Sequence, residues 1–259
     1  MPRIISDNFP LLREKGENGC PANIVFQDGA EFHLFSGGII SAEKIKRQAE
    51  QVAAEISADF SRPLIIQVLE GARMFCSLVC SFLDNTKNTK NTEKFYERAE
   101  IKVVSYSGTR SGDRKIITPL IDNKGRKLHN LKQYDVVVID DLIDAGDTMV
   151  WLMDNYLPRF QPRSLSAAFM LEKDRKRSPR VNKFIATSHV IRGLPAADEW
   201  LVGFGLDLSL GSRDNSIHLF RKLPEVYAFN RDIEERLFKE YCDNPLFFVK
   251  QMKGYISED

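Results

Sequence analysis

The run from Val136 to Thr148 constrains the fold of this chain more than any other segment. Val136, Val137, Val138 and Ile139 are four consecutive β-branched residues, which suits a strand covered on both faces in the middle of a parallel sheet. Ligands of such sheets bind beyond the carboxyl ends of the strands, and Asp140 and Asp141 fall at that end. Gly146 permits a close backbone turn. A helix predicted over Thr148 to Leu157 then opens with N–H groups and a dipole end suited to an anion. No Gly-Lys-Ser/Thr follows, which excludes a P-loop, and the absence of Gly-x-Gly-x-x-Gly excludes the dinucleotide fingerprint. Three acids around one anion would repel a bare phosphate. They make sense where Asp140 and Asp141 accept hydrogen bonds from vicinal ribose hydroxyls, or meet a metal-bound diphosphate, while the loop backbone holds a 5′-phosphate. Taken alone, the same acids also fit a helix cap on a wet loop.

Around this segment the apolar pattern alternates between helix and strand. Ile45, Ala49, Val52, Ala53, Ile56 and Phe60 recur at helical spacing after Ser41, with Glu43 in the positive first turn. Strands are predicted over Leu64 to Leu69, Ile101 to Ser105, Val136 to Ile139 and Ser166 to Leu171, with a helix over Ala72 to Leu83 between the first two. The order is that of an α/β protein with a central, mostly parallel, five-stranded sheet flanked by helices. Residues 1–37 form an N-terminal extension with a hairpin signal at Asp28-Gly29. Residues 38–228 form the main domain, and 229–259 a C-terminal helical extension with a second helix start at Asn244-Pro245. Asn85 to Glu93 is a polar, low-complexity insert that has nothing to bury and is expected on the surface.

A chain of 259 residues with 43% hydrophobic content can bury a large core. Its net charge of +1 gives no global attraction to nucleic acid or anionic lipid, so an anion site must be local. Cys20, Cys76, Cys80 and Cys242 make no Cys-x-x-Cys pair and are too sparse for a disulfide scaffold. Cys76 and Cys80 share a helix face with Phe75, Leu78, Val79 and Phe82, which marks buried thiols rather than half a zinc site. No run approaches the ~18 apolar residues of a membrane helix. A cytoplasmic protein without nucleic-acid or membrane partners is expected.

The Val136 to Thr148 run resembles the 13-residue phosphoribosyl-diphosphate motif of type I phosphoribosyltransferases. Ile40 to Glu43 and Ser61 to Ala72 resemble the opening helix, strand and diphosphate loop of hypoxanthine-guanine phosphoribosyltransferases. Ser105-Tyr106, with Ser107-Gly108-Thr109, resembles their mobile catalytic loop, and Arg110 and Arg114 complete the composition of a lid. Leu171-Glu172-Lys173, then Trp200 to Asp207 and Ser212-Arg213-Asp214, resemble their purine-binding segments in the right order. The resemblance covers residues 38–228. It implies a type I phosphoribosyltransferase fold with a small hood, and transfer of the 5-phosphoribosyl group from phosphoribosyl diphosphate to hypoxanthine, guanine or xanthine. Nucleoside monophosphate and diphosphate are the products, and Mg²⁺ is the cofactor. A homodimer or homotetramer is expected.

By the same resemblance, Asp144 is the candidate general base, and Ser105 and Tyr106 belong to the catalytic lid. Ribose and phosphate fall to Asp140, Asp141, Ile143, Ala145, Gly146, Asp147 and Thr148. Diphosphate falls to Glu70, Gly71, Lys102 and Arg213, and magnesium to Asp140, Asp141 and Asp207. Lys173, an obligate donor, suits a 6-oxo group and opposes the 6-amino group of adenine. Trp200 offers a stacking face beside Leu201. Three residues depart from the family. Glu70 replaces a usual Lys or Arg, Ala145 replaces a hydroxyl residue, and Asp147 adds charge beside the phosphate. These departures support an alternative in which the fold serves as a catalytically weak nucleotide sensor or assembly protein.

Overall fold

The computed structural model describes residues 23–26, 28–86, 95–105, 114–210, 217–252 and 256–257. Tyr106, Arg110 and Arg213, and most of the Asn85 to Glu93 insert, lie outside them. The described residues up to Ala42 and those from Glu199 onward form one unit, and Glu43–Asp198 form the other.

The first unit begins with strands β1 (Asn23–Val25) and β2 (Glu31–His33), paired antiparallel, followed by β3 (Phe35–Ile40). The second unit opens with helix α1 (Ala42–Asp59), which buries Ile45, Ala49, Val52, Ala53 and Ile56 along one face. Strand β4 (Pro63–Leu69), helix α2 (Arg73–Thr86) and strands β5 (Glu97–Ser105), β6 (Arg114–Asp122) and β7 (Asp135–Ile143) follow. Helix α3 (Asp147–Trp151), strand β8 (Ser164–Lys173), helix α4 (Pro179–Thr187) and the short strands β9 (His189–Ile191) and β10 (Leu194–Ala196) complete it. Their sheet runs β10-β8-β7-β4-β5-β6, with β9 also on β8. Every pair is parallel except β5 with β6.

The sheet has seven strands, where the sequence pattern suggests five and marks out four of them, β4, β5, β7 and β8. Part of the difference is β6, an edge strand that begins at Arg114, the residue expected in the lid. Arg114 instead stands opposite Ser105 in the register. The strand carries Arg114, Lys115 and Thr118 among its apolar residues and half-exposes most of them, so it lacks the apolar run that marks a central strand. The rest comes from β9 and β10, each three residues long. The helix expected over Thr148 to Leu157 is also altered. Five α-helical residues pass through a π turn at Leu152–Tyr156 into a 3-10 turn at Leu157–Phe160. Pro158 has no N–H to donate four residues back, so an α-helical ladder cannot run through it.

In the first unit, β11 (Leu201–Val202), β14 (Val226–Phe229) and β3 form one sheet. Strands β12 (Leu208–Leu210), β13 (Ile217–Leu219) and β15 (Ile256–Ser257) form another. Helices α5 (Glu234–Asp243) and α6 (Pro245–Met252) bury Leu237, Phe248 and Met252 in a core shared with Ile24, Phe35, Phe220 and Phe229. The units therefore cut across the linear three-part division: the hairpin, the segment after Glu199 and the C-terminal helices share one hydrophobic core. Among the described residues no helix is long and apolar enough to cross a membrane.

One charged cluster ties the amino-terminal ends of the central strands. Asp135 accepts from the backbone N–H groups of Ser61 (3.2 Å) and Arg62 (3.3 Å), from Ser164 Oγ (2.9 Å) and from Arg163 Nε (2.8 Å). These donors, with Arg163 foremost, hold its carboxyl far below the usual range against the opposing effect of burial. A depressed folded-state pKa gives stability that is present above the unfolded value and lost as pH falls through the folded one. Asp135→Asn should therefore lower stability at pH 7 by about 1.5–3 kcal/mol, the range for hydrogen bonds to a charged group. In urea denaturation the gap between wild type and variant should narrow as pH falls below about 4.

Candidate active site

Parallel pairing of β4 with β7 places the ends of both strands at the point where the strand order reverses, since β5 lies on one side and β8 on the other. The loop after β4 carries Glu70 and Gly71, and its Leu69–Glu70 peptide is cis. The two loops meet closely. A Cβ added at Gly71 would lie 1.5 Å from Asp141 Oδ2, so only glycine lets the backbone pass this carboxylate. Asp141 N–H donates to Asp140 Oδ1 at 3.0 Å. Burial, and then the adjacent Asp141 charge, push the Asp140 carboxyl well above its ordinary value.

From this strand end the chain turns through Asp144, Ala145 and Gly146 into α3. Gly146 is the N-cap at φ 81°, a conformation that a side chain disfavours, and its carbonyl accepts from Val150 N–H. A cleft of about 290 Å³ is lined by Asp140, Ile143, Asp144, Ala145, Gly146, Asp147 and Thr148, with Leu142, Met149 and Phe169 as its apolar wall. This is near the small end of the range for small-molecule sites. Ala145 and Asp147 are exposed here, while Ile143 is buried.

Asp144 is surrounded by cations from the end of β8 and the turn after it. Lys173 Nζ lies 3.3 Å from Asp144 Oδ2, and Arg175 pairs with Oδ1. Burial favours the neutral acid, but the hydrogen bonds and charges of Arg175 and Lys173 prevail and lower the Asp144 pKa. Lys173 is 7% exposed, so its ammonium needs such partners. The sequence reading passed over Arg177, which holds this loop in shape. Its guanidinium donates to the carbonyls of Asp144 (2.8 Å), Ile143 (3.1 Å) and Lys173, and also pairs with Glu172 (3.1 Å). An arginine in the polar run Glu172 to Arg177 carries no periodic signal, and only the folded loop brings these carbonyls within reach of one planar fork.

The loop after β4 compensates its acid. Glu70 pairs with Arg73 at 2.7 Å and with Lys102 at 3.2 Å. Burial opposes ionisation of Glu70, yet the two cations hold its pKa below the ordinary value. Lys102, expected to face an anion, is thus engaged by a carboxylate. Ser105 ends β5, and its neighbour Tyr106 lies outside the described residues.

The remaining expected residues lie in the first unit. Trp200 is 42% exposed, with the Arg231 guanidinium 5.3 Å from its ring centroid. Leu201 is buried on β11. Asp207, expected at magnesium, is instead paired with His218 Nδ1 and with Arg221 at 3.0 Å. Asp140 and Asp141 fit a hard divalent ion, because a cation would relieve the repulsion between two partly buried carboxylates. Among the described residues no three His, Cys, Asp or Glu side chains form a metal-holding group.

A family model described as phosphoribosyl transferase domain matches residues 38–208. A hypoxanthine-guanine phosphoribosyltransferase of Streptococcus agalactiae is 28% identical over 199 residues, covering 75% of this chain and 93% of its own length. A bifunctional TilS/HprT protein of Listeria innocua is 29% identical over 195 residues; the match covers 73% of this chain but only 26% of that relative. A solved structure of hypoxanthine phosphoribosyltransferase from Trypanosoma cruzi, in complex with the product IMP, is similar in fold. Its TM-score is 0.57 at 21% identity, covering 79% of this chain and 99% of that one.

The contact between the two loops predicts that Gly71→Ala lowers stability by about 1–3 kcal/mol, as overpacking does. Removing the obstructing carboxylate with Asp141→Ala in the same background should recover part of the loss, read as a coupling energy in a double-mutant cycle. Additive effects would mean that the loops do not meet.

Proposed function

This chain belongs to the phosphoribosyl transferase domain family, and from that membership we propose that it is a purine phosphoribosyltransferase that acts on 6-oxopurine bases. The observation that carries the choice of base is the pair formed by Lys173 Nζ and Asp144 Oδ2, 3.3 Å apart at the cleft. A 6-oxopurine carries its O6 acceptor beside N7 on one edge. An ammonium next to a carboxylate complements that edge when the imidazole ring carries its proton at N7: Lys173 donates to O6 and Asp144 accepts from N7–H. Adenine would bring a donor, its 6-amino group, against the donors of Lys173. The Streptococcus agalactiae relative, matched over 93% of its length, is named a hypoxanthine-guanine phosphoribosyltransferase, which supports the same substrate class.

In the reaction, the bond from ribose C1 to the diphosphate oxygen breaks and its electron pair leaves with diphosphate. The lone pair of N9 forms the new bond to C1, and the imidazole proton passes to Asp144. Asp140 and Asp141 accept hydrogen bonds from the ribose hydroxyls, and the backbone from Asp144 to Thr148 receives the 5′-phosphate. Arg177 keeps the carbonyls of Ile143 and Asp144 in place, so this loop meets its ligand with little reorganisation. Mg²⁺, which Asp140 and Asp141 would hold, supplies neutralisation of the departing diphosphate. Arg73 and Lys102 offset the negative charge of Glu70 beside that leaving group.

A second reading, a nucleotide sensor with little turnover, is favoured by the engagement of Lys102 with Glu70 and of Asp144 with two cations. The deciding experiment offers hypoxanthine, guanine, xanthine and adenine with phosphoribosyl diphosphate and Mg²⁺, and follows nucleotide and diphosphate together. Turnover of oxopurines supports the enzyme; nucleotide binding without turnover supports the sensor. In the same panel, Lys173→Met should weaken oxopurines by about 1.5–3 kcal/mol and leave adenine unaffected. Equal weakening of both would remove Lys173 as the reader of O6. Asp144→Asn should lower turnover by roughly 10²-fold with a smaller change in sugar-diphosphate binding, measured by steady-state kinetics and calorimetry.

A further inference from the structure

Four charges close a ring around Asp144, which lines the cleft. Lys173 Nζ is 3.3 Å from Asp144 Oδ2 and 3.9 Å from Asp198 Oδ1. Arg175 contacts Asp144 Oδ1 and lies 3.5 Å from Asp198 Oδ1, in both cases through the same terminal nitrogen. Acid and base alternate around the ring, and both oxygens of Asp144 are used. The ring is a product of strand pairing. Lys173 ends β8 directly opposite Ala196 of β10, which sets Asp198 beside it two residues later. The turn is pinned by Asp174 N–H on Ala196 O (2.8 Å) and Arg175 N–H on Lys173 O (3.0 Å).

We propose that Arg175 and Asp198 are positioning residues that set the basicity of Asp144: Arg175 holds Asp144 as a carboxylate, and Asp198 is the acid that receives Arg175 when Asp144 takes up a proton. The proposal rests on the reading of Asp144 as general base. Once protonated, Asp144 no longer balances two cations, and the ring is left with Lys173 and Arg175 against Asp198 alone. The Arg175 nitrogen already lies between both acids, so the transfer needs only a small displacement. Arg175 and Asp198 are both partly exposed and free to make it, whereas Lys173 is buried and stays. The other charges around Asp144 do not perform this exchange. Arg177 is committed to backbone carbonyls and Glu172, and Glu172 is also held by Arg192. Asp140 and Asp141 lie on β7 ahead of Asp144, and Asp147 is exposed at the start of α3; all three are acids and bring Asp144 no cation to exchange.

Removing a cation raises the pKa of the acid it faces, and removing a neighbouring acid lowers it. Arg175→Gln and Asp198→Asn should therefore move Asp144 in opposite directions, which a general loosening of the turn would not do. The experiment titrates the Asp144 carboxyl by carbon-13 NMR in the full chain, assigns it by its loss in Asp144→Asn, and measures the acid limb of kcat/KM for each variant. Arg175→Gln should raise the midpoint by roughly one pH unit, and Asp198→Asn should lower it by a comparable or smaller amount. The acid limb should follow each shift. Unmoved midpoints, or shifts of one sign, overturn the proposal. The two failures are separable. If the midpoints move as stated but Asp144→Asn turns over normally, the ring governs the acidity of Asp144 and the general-base reading falls. If Asp144→Asn is inactive and the midpoints stay, the base reading stands and the ring has no part in it.

Discussion

The pairing of β4 with β7, in register from Pro63 opposite Asp135 to Gln67 opposite Ile139, decides where this protein can place a ligand. Both strands are buried for most of their length, so neither can shift register without moving apolar residues out of the core. Their loops therefore leave the sheet at one edge. There Gly71 passes Asp141 so closely that no side chain fits between them. At the other end of the same strands, Asp135 gathers the amino-terminal turns through Ser61, Arg62, Arg163 and Ser164. The sheet is thus tied at one end and open at the other.

The open end carries more acid than an anion site tolerates unaided. Glu70, Asp140, Asp141, Asp144 and Asp147 all gather at this end, on the loop after β4, the end of β7 and the turn into α3, and the chain answers with cations from other elements. Arg73 and Lys102 balance Glu70, while Lys173 and Arg175 balance Asp144. Asp140 and Asp141 are treated differently. Burial and mutual repulsion raise Asp140, which leaves the pair suited to ribose hydroxyls and a divalent ion. Charge placement thus treats these acids unevenly: Glu70 and Asp144 are each paired with two cations, while the Asp140 carboxyl is pushed up by burial and by its neighbour.

This pairing has a functional consequence for Asp144. A carboxylate held by two cations is a weak base, and a strong proton acceptor would need at least one of them withdrawn. Asp198 supplies a place for that withdrawal without a change of fold. The departures of Glu70 and Ala145 from the family pattern need not abolish chemistry on these grounds. The charge of Glu70 is already balanced, and the backbone of the phosphate loop is held by Arg177 whatever side chain stands at position 145.

Much of the fold was legible because hydrophobic periodicity is local. Val136 to Ile139 read as a buried central strand and the stripe from Ile45 to Ile56 as a helix on a sheet, each from neighbours within a few residues; the loop expected from Asp140 is shorter, because β7 runs on to Ile143 before the turn into α3. Strands β6, β9 and β10 were not legible, because edge and very short strands are stabilised by pairing partners far away in sequence rather than by a pattern of their own. The same holds for the site. Sequence by itself determined which residue types reach the end of β7. Only the tertiary structure decided that Glu70 meets Lys102, that Asp207 is taken by His218 and Arg221, and that Arg177 and the ring of Lys173, Asp144, Arg175 and Asp198 exist. Ion pairs form between whatever side chains the strand register brings within a few ångströms, and that register is a property of the packed sheet, not of any single segment.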